Sequence, residues 1–285
     1  MLYQEAQQNN LTNKNQYRPA VIWVICLNLR YDLTVIFVPN DLLILIPARS
    51  GSKGILRKNT VLLSGKPLLA WTAKAAIESN LSKYIVLSTD SIEIAKLGEE
   101  LGLKVPFIRP KDLAQDRTLQ IEVIKHAIKE LNESLKIKFS SVMLLQPTSP
   151  FRSSNLIIES YNYFVKHEAD TLITISDSSK YAPSTQYVAE KSFSSNLFQL
   201  ESLVNNETKY TKGTLRQDFK EIWWRNGSVY IFSTDTLLST NSLYGGKTIG
   251  MVSNYIESIN LDTEEDLEIA RIIAQGLGYQ ESLHD

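Results

Sequence analysis

At 285 residues the chain has room for one large α/β domain or two small ones, with ample length for a buried core. Hydrophobic residues make up 43% and the formal net charge is −1, an ordinary globular balance with no global field for nucleic acid or an anionic membrane, so any anion site must be local. The single cysteine, Cys26, excludes an intrachain disulfide framework and fits a reducing cytoplasm, and the scattered His126, His167 and His284 lack zinc-ligand spacing.

Residues 1–19 are rich in Gln and Asn and read as disordered or loosely attached. The apolar run Val21-Ile22-Trp23-Val24-Ile25-Cys26-Leu27 is soon interrupted by Asn28, Arg30 and Asp32. It is too short for a bilayer span, which takes about 20 apolar residues, and it lacks the compact basic start and cleavage site of a signal peptide. Residues 1–40 are expected to be an extension, either an added strand or a non-native segment, ahead of one domain over 41–285.

The run Leu42-Leu43-Ile44-Leu45-Ile46 predicts a fully buried strand. Pro47 to Asn59 follow as a loop with two glycines and four cations, Arg49, Lys53, Arg57 and Lys58. A glycine-containing loop off a buried strand can bring backbone N–H groups close to phosphate, and the cations balance a polyanion. Further strands are predicted over 84–88, 141–145 and 171–176, with helices over 68–79, 91–101, 119–132 and 155–166. Such alternation implies right-handed βαβ units and a mostly parallel sheet. Because the strands are uniformly apolar, helices should cover both faces. Residues 177–222 break the rhythm with a polar, Ser- and Asn-rich excursion that reads as an inserted arm or small β subdomain. Strands over 228–232 and 248–252 and a helix over 263–276 complete the chain.

Two familiar phosphate motifs fail here. Gly65-Lys66 has Thr60 where a Walker A loop needs its first glycine, and Gly51 and Gly54 have no third partner for a dinucleotide fingerprint. Instead, Ile46-Pro47-Ala48-Arg49-Ser50-Gly51-Ser52-Lys53-Gly54, Arg57-Lys58-Asn59 and Gly65-Lys66-Pro67-Leu68 resemble the acylneuraminate cytidylyltransferases. The resemblance continues in order through Ser88-Thr89-Asp90, Arg109-Pro110, the segment Gln146-Pro147-Thr148-Ser149-Pro150-Phe151-Arg152, Arg216-Gln217, Asn226-Gly227-Ser228-Val229-Tyr230 and Asp262-Thr263-Glu264-Glu265-Asp266.

This resemblance implies a Rossmann-like α/β fold with the insertion as a dimerisation arm, a homodimer, and a cytoplasmic, Mg²⁺-dependent reaction of CTP with a nine-carbon 2-keto sugar acid. By the same carry-over, Arg49, Ser52, Lys53, Lys58, Asn59, Ser88 and Asp90 would hold the nucleotide, with Arg49 and Lys58 stabilising charge. Arg109, Gln146, Arg152, Arg216 and Asn226 would hold substrate, and Asp262 with Asn260 the metal. Relatives carry aspartate at the position of Asn260, an amide that contributes no charge. Several residues keep two readings. Ser88-Thr89-Asp90 serves the site or caps the next helix, and Arg152 neutralises an anion or anchors its loop. Asp262 ligates metal or signals a helix start, while Trp223 and Trp224 anchor an interface or pack their own core. Pseudaminic, legionaminic and ketodeoxyoctonic acids stand as alternative substrates, and a catalytically silent nucleotide-binding paralogue as an alternative function.

Overall fold

The computed structural model describes residues 41–178, 186–194, 197–203 and 221–278. The extension over 1–40 and much of the expected arm, Arg216 and Gln217 included, lie outside these residues. The chain opens with β1 (Leu42–Pro47), the short pair β2 (Leu62–Leu63) and β3 (Lys66–Pro67), and α1 (Leu68–Glu78). It continues through β4 (Ile85–Ser88), α2 (Ile92–Glu100), a 3₁₀ turn (Lys111–Ala114), α3 (Gln120–Leu135), β5 (Ser141–Leu144), α4 (Ser154–Lys166) and β6 (Thr171–Asp177). Then come β7 (Tyr187–Ser194), β8 (Leu197–Ser202), β9 (Trp223–Ser233), α5 (Thr234–Thr240), β10 (Thr248–Val252) and α6 (Glu264–Gly276).

Six strands form one sheet in the order β10-β6-β9-β5-β1-β4. All neighbours run parallel except β9, which is antiparallel to both β5 and β6. The alternation of β1 explains its uniform apolarity. Leu42, Ile44 and Ile46 pack with Leu69 and Ala76 of α1 and Ile157 of α4, whereas Leu43 and Leu45 pack with Ile124, Ala127 and Ile128 of α3. Both faces are therefore buried, as parallel sheets require. β1 lies between β4 and β5, so the chain crosses from one side of it to the other, and a crevice opens beyond its carboxyl end.

The expected strands and helices all form, with ends shifted by a few residues. β9 covers the strand expected over 228–232 but begins five residues earlier: its first residues, Trp223-Trp224-Arg225-Asn226-Gly227, lack an apolar pattern, and the register against β6 slips between Ile173 and Ile175. α5 and the β2–β3 pair have no counterpart among the expected elements. β7 and β8 pair as a separate antiparallel hairpin within the span expected for the arm. No helix among the described residues is long and apolar enough to cross a membrane.

α6 begins with a full capping box: the Thr263 side chain accepts from Asp266 N, and the Asp266 carboxylate accepts from Thr263 N. Burial would raise the Asp266 carboxyl, but these backbone bonds outweigh it and hold it below the ordinary carboxylate value. A depressed pKa means the bond's stabilisation is present above the unfolded-state value of about 3.9 and is lost as pH falls through the lower folded value. Asp266→Asn should cost about 1 kcal/mol at neutral pH. It should also flatten the acid limb of the stability curve, measured by urea melts between pH 3 and 7.

Candidate active site

The loop after β1 is built rigidly from both ends. At its start Ala48 N donates to Ser88 O (2.9 Å), and Asp90 accepts from Ser50 N (2.8 Å) and Ser50 Oγ (2.6 Å). At its end Asn59 Nδ2 donates to Arg49 O (2.8 Å), closing the loop on itself. Between them Ile55 is fully buried beside Leu63, Trp71 and Leu261, which pins the loop to the segment preceding α6. Burial would raise the Asp90 carboxyl, but the two Ser50 bonds and Arg109 prevail, so it stays ionised and keeps its grip.

This loop forms one wall of a cleft of about 640 Å³ at the carboxyl end of β1. Arg49, Ser52, Lys58, Asn59, Arg109, Gln146, Asn260 and Asp262 all line it. Eight of the sequence candidates thus converge. Beside the loop, Leu261 N donates to Thr148 O (2.8 Å), which ties the Asn260–Asp262 stretch to the turn after β5. Gly227 adopts a left-handed φ of 84°, and a side chain there would meet Gln146 Oε1 at 3.3 Å and Asn260 Oδ1 at 3.6 Å. The glycine lets β9 pass close to both groups.

Each loop cation faces an acid. Asp116 bridges Arg49 Nη1 (2.9 Å) and Lys53 Nζ (2.6 Å), and these bonds lower its pKa. Lys58 Nζ reaches Leu261 O (2.9 Å) and Asp262 Oδ1 (3.1 Å), and Arg57 pairs with Glu93. A polyanion entering the cleft would take over contacts now made by carboxylates. Arg109 is 4% exposed; burial lowers its pKa, Asp90 opposes that shift at 4.0 Å, and its Nε and Nη2 make no hydrogen bond. Gln120 Nε2 is likewise buried without a partner. Unpaired buried donors are costly, and both groups line the cleft, where an acceptor from water or a ligand can satisfy them.

The remaining candidates lie elsewhere. Lys53 has an 82% exposed side chain and does not line the cleft. Ser88 is fully buried beneath it. The helix cap is Ser91, which accepts from Ile94 N, so Asp90 serves the loop rather than α2. Arg152 is buried, with Nη1 donating to Ser228 O (2.6 Å) and Nη2 to Thr72 Oγ1 (2.9 Å) and Gln146 O (3.1 Å). Desolvation alone lowers it to about 9, which leaves it cationic at neutral pH. It anchors the turn that carries Gln146. Asn226 is buried too, accepting from Thr174 Oγ1 (2.7 Å) and donating to Ser176 Oγ (2.8 Å) and Ser253 Oγ (2.7 Å). Trp223 and Trp224, 40% and 44% exposed, stay out of the core. Arg216 is outside the described residues.

Gln115, Thr118 and Gln120, together with Arg225, Tyr230 and Tyr244, also line the cleft without having been singled out as site residues. The first group carried a weak signal, a polar stretch directly after Arg109-Pro110 and before an amphipathic helix.

As for a metal, no three His, Cys, Asp or Glu side chains converge among the described residues. The capping box is made by Thr263 and Asp266, which leaves Asp262 outside it and facing the cleft. Asn260 Nδ2 donates to Asp262 Oδ2 (2.8 Å), while Asn260 Oδ1 is buried without a partner. One carboxylate and one free amide oxygen fit a hard divalent cation that takes its other oxygens from phosphate and water.

The cytidylyltransferase family model matches residues 43–275. An N-acylneuraminate cytidylyltransferase of Escherichia coli is 32% identical over 232 residues, 81% of this chain and 51% of that protein, so the chain spans about half that relative's length. A CMP-N,N'-diacetyllegionaminic acid synthase of Legionella pneumophila is 34% identical over 79% of this chain and 92% of its own. Among solved structures, a CMP:2-keto-3-deoxy-manno-octonic acid synthetase complexed with CTP superposes with a TM-score of 0.60 at 16% identity, covering 83% of this chain and 100% of that one.

Proposed function

The chain belongs to the cytidylyltransferase family, and from that premise we propose that it couples CTP to a nonulosonic, sialic-type acid, giving the CMP-sugar and pyrophosphate. The observation that carries this reading is the convergence of Arg49, Lys58, Asn260, Asp262 and Gln146 on one cleft beyond β1.

In the reaction the acceptor's anomeric hydroxyl attacks the α-phosphorus of CTP. A new P–O bond forms, the bond to the β-phosphate oxygen breaks, pyrophosphate leaves with that electron pair, and the hydroxyl proton passes to solvent. Little covalent help is needed; positioning and charge neutralisation carry the step. Arg49 can grip phosphate with two parallel N–H bonds, whereas Lys58 acts as a point charge. The unpaired donors of Arg109 and Gln120 suit the carbonyl and ring-nitrogen acceptors of a cytosine base. Gln146, held through its carbonyl by Arg152, faces the acceptor.

Asp262 and Asn260 would hold Mg²⁺, which when bound neutralises charge growing on the phosphates. Asn260→Asp adds a carboxylate to that site. It should lower the Mg²⁺ concentration for half-maximal rate by about 3- to 10-fold, and tighten Mn²⁺ binding to the CTP complex measured by electron paramagnetic resonance. An unchanged Mn²⁺ affinity would remove Asn260 from the metal site.

We infer a homodimer paired through the segment that carries the β7–β8 hairpin, a reading supported by the exposure of Trp223 and Trp224, and a cytoplasmic setting, supported by the single cysteine. The deciding experiment is pyrophosphate release from CTP with N-acetylneuraminic, diacetyllegionaminic, pseudaminic and ketodeoxyoctonic acids, with and without Mg²⁺. Release with at least one acid is expected. CTP binding without release from any of them would favour the second reading, a catalytically silent nucleotide-binding protein, for which Asn260 is the supporting departure.

A further inference from the structure

Four cations among the described residues line the cleft, and three of them already face an acid: Arg49 faces Asp116, Lys58 faces Asp262 and Arg109 faces Asp90. Arg225 is the exception. It hydrogen-bonds a neutral group, the hydroxyl of Tyr244, and no acid among the described residues pairs with it.

Its position is defined from below. The neighbouring Asn226 is locked in the sheet by its bonds to Thr174, Ser176 and Ser253, which fixes the β9 backbone where Arg225 emerges. Tyr244, in the loop between α5 and β10, then meets the guanidinium across the cleft rim. Burial raises the Tyr230 hydroxyl and the Arg225 charge pulls against that shift, so the two side chains share one electrostatic neighbourhood. This end of the cleft also carries Gln146, whose Oε1 would lie 3.3 Å from a side chain at Gly227, two residues beyond Arg225. It has a cation, two phenolic hydroxyls and an amide, while the cations able to serve a triphosphate belong to the loop after β1.

An acceptor that is itself an acid brings a second negative group into a cleft already occupied by phosphates. A guanidinium that no acid among the described residues pairs with meets that need, because its parallel N–H groups match a carboxylate. We propose that Arg225, positioned by Tyr244, is the anchor for the acceptor's carboxylate and the residue by which this chain selects sugar acids over neutral sugars. The inference rests on the cytidylyl transfer proposed above.

The test compares whichever of the four acids turns over with its methyl ester, in the full chain and in Arg225→Ala, Arg225→Lys and Tyr244→Phe. The unaltered protein should prefer the acid by about 100-fold in kcat/KM, the cost typical of losing one partner of a desolvated charge pair. In Arg225→Ala that preference should fall to about 5-fold or less, through KM for the acid, with the ester scarcely affected. Arg225→Lys should restore part of it, and Tyr244→Phe should raise KM for the acid by about 3- to 10-fold at constant kcat. The CTP dissociation constant of each variant, read by calorimetry, should be unchanged and serves as the control for folding. An acid-to-ester preference that persists in Arg225→Ala would overturn the inference, as would an unaltered protein with no preference for the acid. If the unaltered protein turns over no acid at all, the underlying function falls instead, and this inference with it.

Discussion

Lys58→Met should lower kcat by about 10²- to 10³-fold at saturating CTP and acceptor, the loss expected on removing one preorganised group aimed at developing charge. The side chain is only 13% exposed, so its field is little screened, and its ammonium sits between Leu261 O and Asp262 on the cleft wall. Lys53, five residues earlier in the same basic stretch, supplies the control. Its side chain is 82% exposed and outside the cleft, where one charge contributes little through a high dielectric. Lys53→Met should therefore change kcat by less than about 5-fold. Steady-state kinetics of the two variants side by side decide the matter: equal losses would mean that the loop acts as a diffuse basic surface and not as a set of placed groups. Lys58→Met should also lower the melting temperature slightly, because the Leu261 carbonyl loses its charged donor.

The contrast between those two lysines shows what the sequence could and could not display. Strand periodicity and helix patterns located the six strands of the main sheet and every helix but the short α5, because burial on both faces of β1 and on one face of each longer helix leaves a regular mark in residue type. The same mark is missing from the start of β9, where the stabilising contacts are polar and come from Thr174, Ser176 and Ser253, distant in sequence. Within the site, the blocks named the right stretches but not the direction of each side chain. Gln146 and Arg152 belong to one stiff turn, yet Gln146 lines the cleft while Arg152 points beneath it and bonds the backbone. Ser88 and Asp90 are two apart on a strand's end; the first is buried under the cleft and the second holds Ser50. A loop has no periodicity from which to read such choices. Asp116, which bridges Arg49 and Lys53, carried no signal because its meaning depends on a contact across more than sixty residues of chain.

Gly54→Ala should be strongly damaging, and the reason differs from the one that glycine in a phosphate loop first suggests. A Cβ at position 54 would lie 1.9 Å from Asp262 O and 3.1 Å from Asp262 C, both backbone atoms that no rotamer change can move aside. At Gly51, which lines the cleft, a Cβ would meet nothing within 4 Å. Gly51 leaves room for a ligand; Gly54 lets two chain segments touch. That touch joins the cationic loop to the stretch carrying Asn260 and Asp262, and it is what brings Lys58 within 2.9 Å of Leu261 O. Forcing a methyl group into it should cost about 1–3 kcal/mol of stability, as overpacking does. The larger effect should be on rate, since a displacement of about 1 Å between reacting groups can cost about 10²-fold. Gly51→Ala should instead keep the melting temperature and weaken CTP binding, because its methyl occupies cleft space rather than a contact. Thermal melts and CTP calorimetry on both variants separate the two roles. If Gly54→Ala kept full stability and kcat, the loop and the Asp262 segment would not be mechanically joined, and the cations and the metal-binding oxygens would have to be treated as independent halves of the site.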